Sequence, residues 1–366
     1  MPEPLRSVHT SNIPDILHQL GISILVTTYQ AGRLVMLRAQ DTALNTHFRS
    51  FDKPMGLAID GNRLAVGTAN QIWEFHNLPA VCEKVDAKIR ASDPASPVHH
   101  DACLLPRTTH WTGDIQIHEM DWVNGAAGTE LWAVNTRFSC LCRRSDVHSF
   151  EPVWRPSFIP HFVPGDCCHL NGLATRDGQA RYVTALGETH EVEGWRKNKR
   201  NGGILIDIES DQVMAHGLSM PHSPRWHQGH LWVLQSGIGE LGIIDPANGS
   251  YQSVAKLPGF TRGLSFVGPL ALIGLSQVRE SAIFGGVPIA EAKLDQRVCG
   301  VWVVNIETGE TVGFVRFEDA VHEIFAVEIW PTRYPELIND DQDLLAGSFE
   351  LADEALADVP TEMRRQ

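Results

Sequence analysis

Short apolar runs recur along the chain, separated by turns rich in Gly, Asp and Asn. That alternation predicts many short strands. One unit repeats. It opens with a short apolar strand and continues with a second strand that often carries Leu-Trp. It closes with a hairpin bearing Asp or Asn and Gly. The clearest copy spans Pro221 to Gly249, with PHSPRW, HLWVL and ELGIIDPANG. IHEMDW and ELWAVNT begin a second copy at Ile117. HLNGLA, ARYVTAL and GGILIDIESD form a third, FTRGLSF, PLALIGL and GVWVVNIETGE a fourth, and KPMGLAI, NRLAVGT and QIWEFHN a fifth. VHEIFAVEI (Val321 to Ile329) reads as a sixth innermost strand.

Anchors at Met55, Glu119, Asn171, Ser223, Arg262 and Glu323 give spacings of 64, 52, 52, 39 and 61 residues. Each interval holds four short strands plus an insertion. The pattern predicts an all-β fold, a six-bladed β-propeller. The sixth copy lacks outer strands, and ISILVTTY (Ile22 to Tyr29) and GRLVMLRA (Gly32 to Ala39) are spare at the other end. They are expected to complete the last blade, which closes the ring and removes exposed sheet edges. The domain reading is an N-terminal segment over 1–20 with a short helix from Ile13 to Gln19, one propeller domain over 21–350, and a flexible tail over 351–366.

Composition narrows the function classes. The formal charge of −14 repels phosphate backbones and anionic lipid, which argues against nucleic-acid and membrane partners. The basic run Arg196, Lys197, Lys199, Arg200 reads as a solvated loop. The opening residues lack the basic and apolar blocks of a secretory signal, and the run Ile22 to Val26 is too short to span a bilayer. Seven cysteines, an odd number, suggest reduced thiols and a cytoplasmic protein. Cys140-x-Cys142 and Cys167-Cys168 do not have the usual zinc spacing; they read as small buried residues.

In a propeller, the start of each innermost strand and the turn between second and third strands share one face. The long insertions Ser92–Gly113, Gly187–Asn201 and Ser276–Gln296 are assigned to that face, and long loops on a rigid scaffold carry function. The residues that begin the inner strands should ring the channel mouth. They are His118 with Glu119, His169 with Asn171, His222, Arg262, and His322 with Glu323. Imidazoles converging from separate blades suit a divalent transition metal, iron, manganese or zinc, while calcium prefers oxygen ligands. The expected metal ligands are therefore His118, His169, His222 and His322. Glu119 or Glu323 would move a proton, and Arg262 or Arg225 would clamp an anionic group. Asn171, His100, His190 and Arg279 are candidates for substrate contact. A metal-free site using histidine as acid or base, and histidines that only bond neighbouring blades, are the competing readings of the same positions.

TGDIQIHEMDW, CCHLNGLA, MPHSPRWHQGHLWVLQSG and GFTRGLSF together resemble an uncharacterised bacterial β-propeller family, a conserved domain of unknown function, over roughly residues 20–335. The resemblance implies a propeller and no activity. More loosely, HLNGLA resembles the Asn-Gly element of gluconolactonase-like and paraoxonase-like six-bladed propellers. Those enzymes hold a divalent ion with Glu, Asn and Asp, and only Asn171 matches that set here. Four-histidine iron in carotenoid-oxygenase propellers and histidine-bound manganese in propeller lyases are analogies of architecture.

The sequence thus points to a metal-dependent enzyme, a hydrolase, lyase or oxygenase, acting on a small polar or anionic substrate at the central channel. The alternative is a non-catalytic propeller that binds a protein, peptide or small ligand on its top face, and would need exposed aromatic anchors there.

Overall fold

Branched and aromatic side chains favour extended backbone because they pack well across a pleated surface. Here they build six antiparallel sheets, the blades of a six-bladed β-propeller. The computed structural model describes residues 5–126, 128–277, 286–291 and 297–364. Blade one contains Leu57–Asp60, Arg63–Gly67, Gln71–Asn77 and Ala102–Trp111. Blade two contains Ile117–Gly125, Gly128–Asn135, Cys140–Arg143 and Glu151–Trp154. Leu170–Arg176, Gln179–Ala185, Gly203–Asp207 and Gln212–Leu218 make blade three. Pro221–His227, His230–Gln235, Glu240–Ile244 and Tyr251–Lys256 make blade four. Blade five contains Phe260–Val267, Leu270–Ser276, Cys299–Asn305 and Thr311–Phe317.

Blade six is assembled from both ends of the chain. Its inner strand is Val327–Trp330, and its outer three are Ser23–Thr28, Arg33–Gln40 and Ala43–Ser50. Ser23 pairs with Trp330 and Val26 with Val327, antiparallel. The closure expected from the spare N-terminal strands is therefore formed. Two further strands extend blades at their outer edges. Ser7–His9 adds to blade five beside Phe317, and Pro335–Leu337 adds to blade one, parallel to Ala102–Leu104. The helix Ile13–Leu20 buries Ile13 and Leu17 against blades five and six. Full burial of such side chains contributes about 1.5–3 kcal/mol each. The tail carries a short exposed helix, Asp353–Ala357.

Adjacent blades are stapled near the channel by hydroxyl groups. Thr27, Thr136, Ser236 and Ser276 each donate to a carbonyl of the next blade, at Met55, Leu170, Thr261 and Ile324. At the junction of blades three and four the bond is relayed: Thr184 donates to Asn171, whose amide donates to the Pro221 carbonyl. These buried bonds set the register of one blade against the next. They also identify the equivalent inner-strand residues, the ones just after each accepting carbonyl: Gly56, Asn171, His222, Arg262 and Phe325. His118 joins the set, because Ile117 pairs with Asn135 as Pro221 pairs with Gln235. Blade one contributes glycine for a steric reason. A Cβ on Gly56 would lie 2.1 Å from the His118 carbonyl oxygen.

Candidate functional site

Four of these equivalent positions, His118, His222, Arg262 and Phe325, open onto a cavity of about 800 Å³ at one end of the channel. His118, His169, His222, Arg262 and Glu323 line it, together with Asp166, Trp195, Phe260 and Phe325. Met55, Val192 and Met220 add apolar wall.

His118 and His222 are held alike. Nδ1 of His118 lies 2.9 Å from the Gln116 carbonyl and 2.7 Å from the Thr136 hydroxyl. Nδ1 of His222 lies 2.9 Å from the Met220 carbonyl and 2.9 Å from the Ser236 hydroxyl. Both hydroxyls spend their proton on the inter-blade staple, so they accept from the ring. Nδ1 therefore carries the hydrogen in each imidazole, and Nε2 keeps its lone pair. Burial, then the charge of Arg262, pushes both groups well below the ordinary histidine pKa. Both rings are neutral at pH 7.

His169 is held differently. It sits one residue before its strand, with φ of 50°, in the left-handed region. Its Nδ1 lies 2.8 Å from Oδ2 of Asp166, which also accepts from Trp195 Nε1 at 3.2 Å. The His169 ring lies 4.5 Å from the Trp195 ring and 4.9 Å, edge to face, from that of His118.

Arg262 is a cation of the cavity wall without a counter-ion among the described residues. Of the arginines lining it, Arg137 pairs with Asp114 and Arg196 with Glu193. Among the described residues Arg262 makes no ion pair, and its Nη2 is buried without a hydrogen-bond partner. Its guanidinium stacks on Phe325, 3.6 Å from the ring centre. Burial lowers its pKa to about 10, against the attraction of Glu323 and Glu119. It stays protonated at pH 7.

Other residues expected at the mouth sit elsewhere. His322 lies three residues before Phe325, which is the true equivalent of His118 and His222 in blade six. The His322 carbonyl accepts from the Gln277 amide, and the residue does not line the cavity. Glu119 and Arg225 alternate to the next layer down, because neighbouring strand residues point in opposite directions. There Arg225 bridges the channel from blade four, reaching Glu119 of blade two at 2.9 Å and Glu328 of blade six at 3.3 Å. Glu119 also accepts from the Leu173 amide. Burial opposes the charge of Arg225, but Glu119, Glu328 and Asp121 outweigh it and raise its pKa. With one cation among three carboxylates, burial raises Glu328 to about 7. The amide of Asn171 is spent on the staple described above.

His100 belongs to the opposite end of the propeller. The segment Ser92–Gly113 is not simply a loop before an inner strand; it contains Ala102–Trp111, the fourth strand of blade one, entered from the far face. There His100 Nδ1 lies 2.6 Å from Asp86 and its Nε2 lies 3.6 Å from Glu336. Glu336 also binds His47 at 3.0 Å and Arg49 at 2.8 Å, tying blade one to blade six. The insertion Gly187–Asn201 does reach the mouth, through Val192, Glu193, Trp195 and Arg196. His190 within it is exposed and does not line the cavity. Arg279 lies outside the described residues.

The sequence pattern singles out neither Asp166 nor Phe325, and it places Trp195 only within the insertion Gly187–Asn201. Asp166 stands three residues before His169, and that local spacing was the available signal. Among the described residues, no three His, Cys, Asp or Glu side chains are grouped closely enough to hold a metal ion. None of the described helices is long and apolar enough to cross a membrane.

The profile of a family described as "Domain of unknown function (DUF4915)" matches residues 11–338. No curated protein matches the chain in sequence. Among solved structures, a chain from the crystal structure of a nidogen/laminin complex matches with a TM-score of 0.52 at 9% identity. The match covers 85% of this chain and 100% of that one, and at this identity it shows the propeller fold alone.

Proposed function

We propose a function from the site itself, because the chain belongs to the DUF4915 family, whose description assigns none. The channel-mouth cavity binds a small organic anion and acts on it as an enzyme. One observation carries this reading: the Arg262 guanidinium faces the cavity with a buried N–H group that none of the described residues satisfies. Leaving such a donor unmet costs about 1–3 kcal/mol, more for a charged group. A carboxylate or phosphate oxygen supplies the missing acceptor and the missing charge. Phe260, Phe325 and Trp195 then suit an apolar or aromatic body on the same ligand. The neutral imidazoles are the groups available for proton transfer.

A divalent transition metal on the imidazoles is the second reading. It is favoured by the tautomer of His118 and His222, whose Nδ1 protons point to backbone and hydroxyl acceptors as in metal-bound histidine. The charge of Arg262 in the same cavity works against it. Reduced thiols support a cytoplasmic setting. All seven cysteines are free and buried, and burial pushes Cys140 up to about 12.

Calorimetric titration with acetate, benzoate and phosphate tests the anion reading. At least one should bind with millimolar or better affinity, and Arg262→Gln should weaken it by about tenfold or more. Equal affinity in both proteins, or no binding of any probe, sinks the reading. Elemental analysis of untagged protein decides the metal reading: one equivalent of iron, manganese or zinc supports it, and metal-free protein removes it.

A further inference from the structure

We infer that His169 is the general base of this site and that Asp166 is the residue that positions it. The inference rests on the cavity being a ligand site. Three imidazoles line that cavity, and their Nδ1 partners separate them. His118 and His222 rest on carbonyl and hydroxyl oxygens, which are neutral. Neither acceptor compensates the charge that a ring gains when it takes a proton, and both rings are buried beside Arg262. His169 rests on a carboxylate at 2.8 Å. A charge-assisted bond of this kind is roughly twice as strong as a neutral one, and it strengthens as imidazolium forms.

The geometry is fixed from several sides. Trp195 donates to the same carboxylate oxygen and packs at a tilt of 40° against the His169 ring, so the carboxylate and ring share one brace. The His118 ring closes the other side. Asp166 and His169 both hold left-handed backbone, with φ of 45° and 50°, which is disfavoured for residues other than glycine. The main chain is pinned there: the Asp166 amide donates to the Arg137 carbonyl at 2.9 Å, and the His169 carbonyl accepts from Leu186. Strain of this sort persists where the surroundings over-determine it, and it clusters at functional sites. Asp166 Oδ1 is buried without a hydrogen-bond partner among the described residues, so their bonds do not fully satisfy the carboxylate.

The step is a proton transfer. Nε2 of His169 takes a proton from an O–H or C–H group of the bound anion. The bond's electron pair stays on the substrate atom, the ring becomes imidazolium, and Asp166 remains ionised beside it. Arg262 holds the anionic group while charge develops. His169 then returns the proton to the product or to solvent. Positioned bases of this kind contribute about 10²–10⁴-fold.

The test needs no known substrate. Diethyl pyrocarbonate acylates unprotonated imidazole nitrogen, and peptide mapping by mass spectrometry gives a rate for each histidine. His169 should react at least as fast as the exposed His190 despite its partial burial. Asp166→Asn should slow His169 by about tenfold or more, because the orienting charge is lost, while Asp166→Glu restores part of the rate. Nitrogen-15 spectra of the unaltered protein supply a reading that no variant can spoil: His169 should carry its hydrogen on Nδ1. An Nε2–H tautomer, or an Asp166→Asn rate equal to wild type, overturns the assignment. Calorimetry with phosphate on Asp166→Asn separates the two claims. Phosphate binding with an unchanged His169 rate sinks the base alone. An Asp166-dependent His169 rate in a protein that binds no anion sinks the anion reading alone.

Discussion

The guanidinium of Arg262 lies 3.6 Å from the centre of the Phe325 ring, and the two are equivalent residues of neighbouring blades. Stacking on an aromatic face stabilises a desolvated cation by about 2 kcal/mol. That interaction holds the guanidinium in place but leaves its buried Nη2 without a hydrogen-bond partner among the described residues. A protein gains little stability from such an arrangement, and a ligand gains much.

Arg262→Met should therefore separate stability from binding. The substitution removes a buried unsatisfied donor and keeps an apolar side chain against Phe325. We expect stability to rise by about 1 kcal/mol while anion binding disappears. Denaturant melts and calorimetry on the same preparation check both; a large loss of stability contradicts the account of the site.

The inter-blade staples should matter for fold and site together. Thr136→Val and Ser236→Ala each remove a buried donor from a carbonyl and an acceptor from a histidine Nδ1. Each should destabilise by about 1–3 kcal/mol. His118 or His222 should also lose part of its Nδ1–H preference, visible in nitrogen-15 spectra.

The cross-channel cluster is predicted to be structural. Arg225→Met leaves Glu119, Asp121 and Glu328 without their cation and should lower stability by about 3–5 kcal/mol. Glu119→Gln still accepts from Leu173 and Arg225, so its loss should be smaller. Neither change should alter anion affinity, since both residues lie below the cavity.

Stability should depend on pH with opposing signs at different groups. His100, His118 and His222 have lowered pKa values when folded. The unfolded chain takes up their protons first, so stability falls as pH drops below about 6.5. Burial opposes the charge of Glu336, but His47, Arg49 and Arg38 outweigh it and hold it at about 2, from an ordinary 4.5. Its contribution is full above pH 4.5 and is lost as pH falls toward 2. Glu328 has the reverse sign. Its folded pKa near 7 lies above the ordinary 4.5, so its contribution is lost as pH rises through 7. Glu328→Gln should therefore compare most favourably with wild type at pH 8, and denaturant titrations from about pH 4 to 8 check the crossover.

The fold was legible in the sequence because each blade repeats a local pattern. Copies such as PHSPRWHQGHLWVL and FTRGLSFVGPLALIGL state strand, turn and strand within a few residues. Ring closure followed from two strands without partners, Ile22–Tyr29 and Gly32–Ala39, and a final blade that lacked its outer half. Local pattern also brought His118, His222 and Arg262 to the channel mouth, since equivalent positions in a closed ring converge.

Tertiary structure decided the rest, and the reason is register. In a strand a shift of one residue reverses the side chain's direction. Anchors placed on Glu119 and Ser223 were one residue beyond the channel-facing ring, and the anchor on Glu323 was two residues short of it. That offset carried His322 into the expected ligand set, where Phe325 stands. It also put Glu119 beside the cavity, although its side chain crosses to Arg225 in the layer below. The hydroxyl staples reveal the correct register, and they join residues as far apart as Ser276 and Ile324. His100 shows the same limit at larger scale. Its motif is local, but its end of the propeller depends on Ala102–Trp111 being a fourth strand, which pairing with Gln71–Asn77 alone establishes.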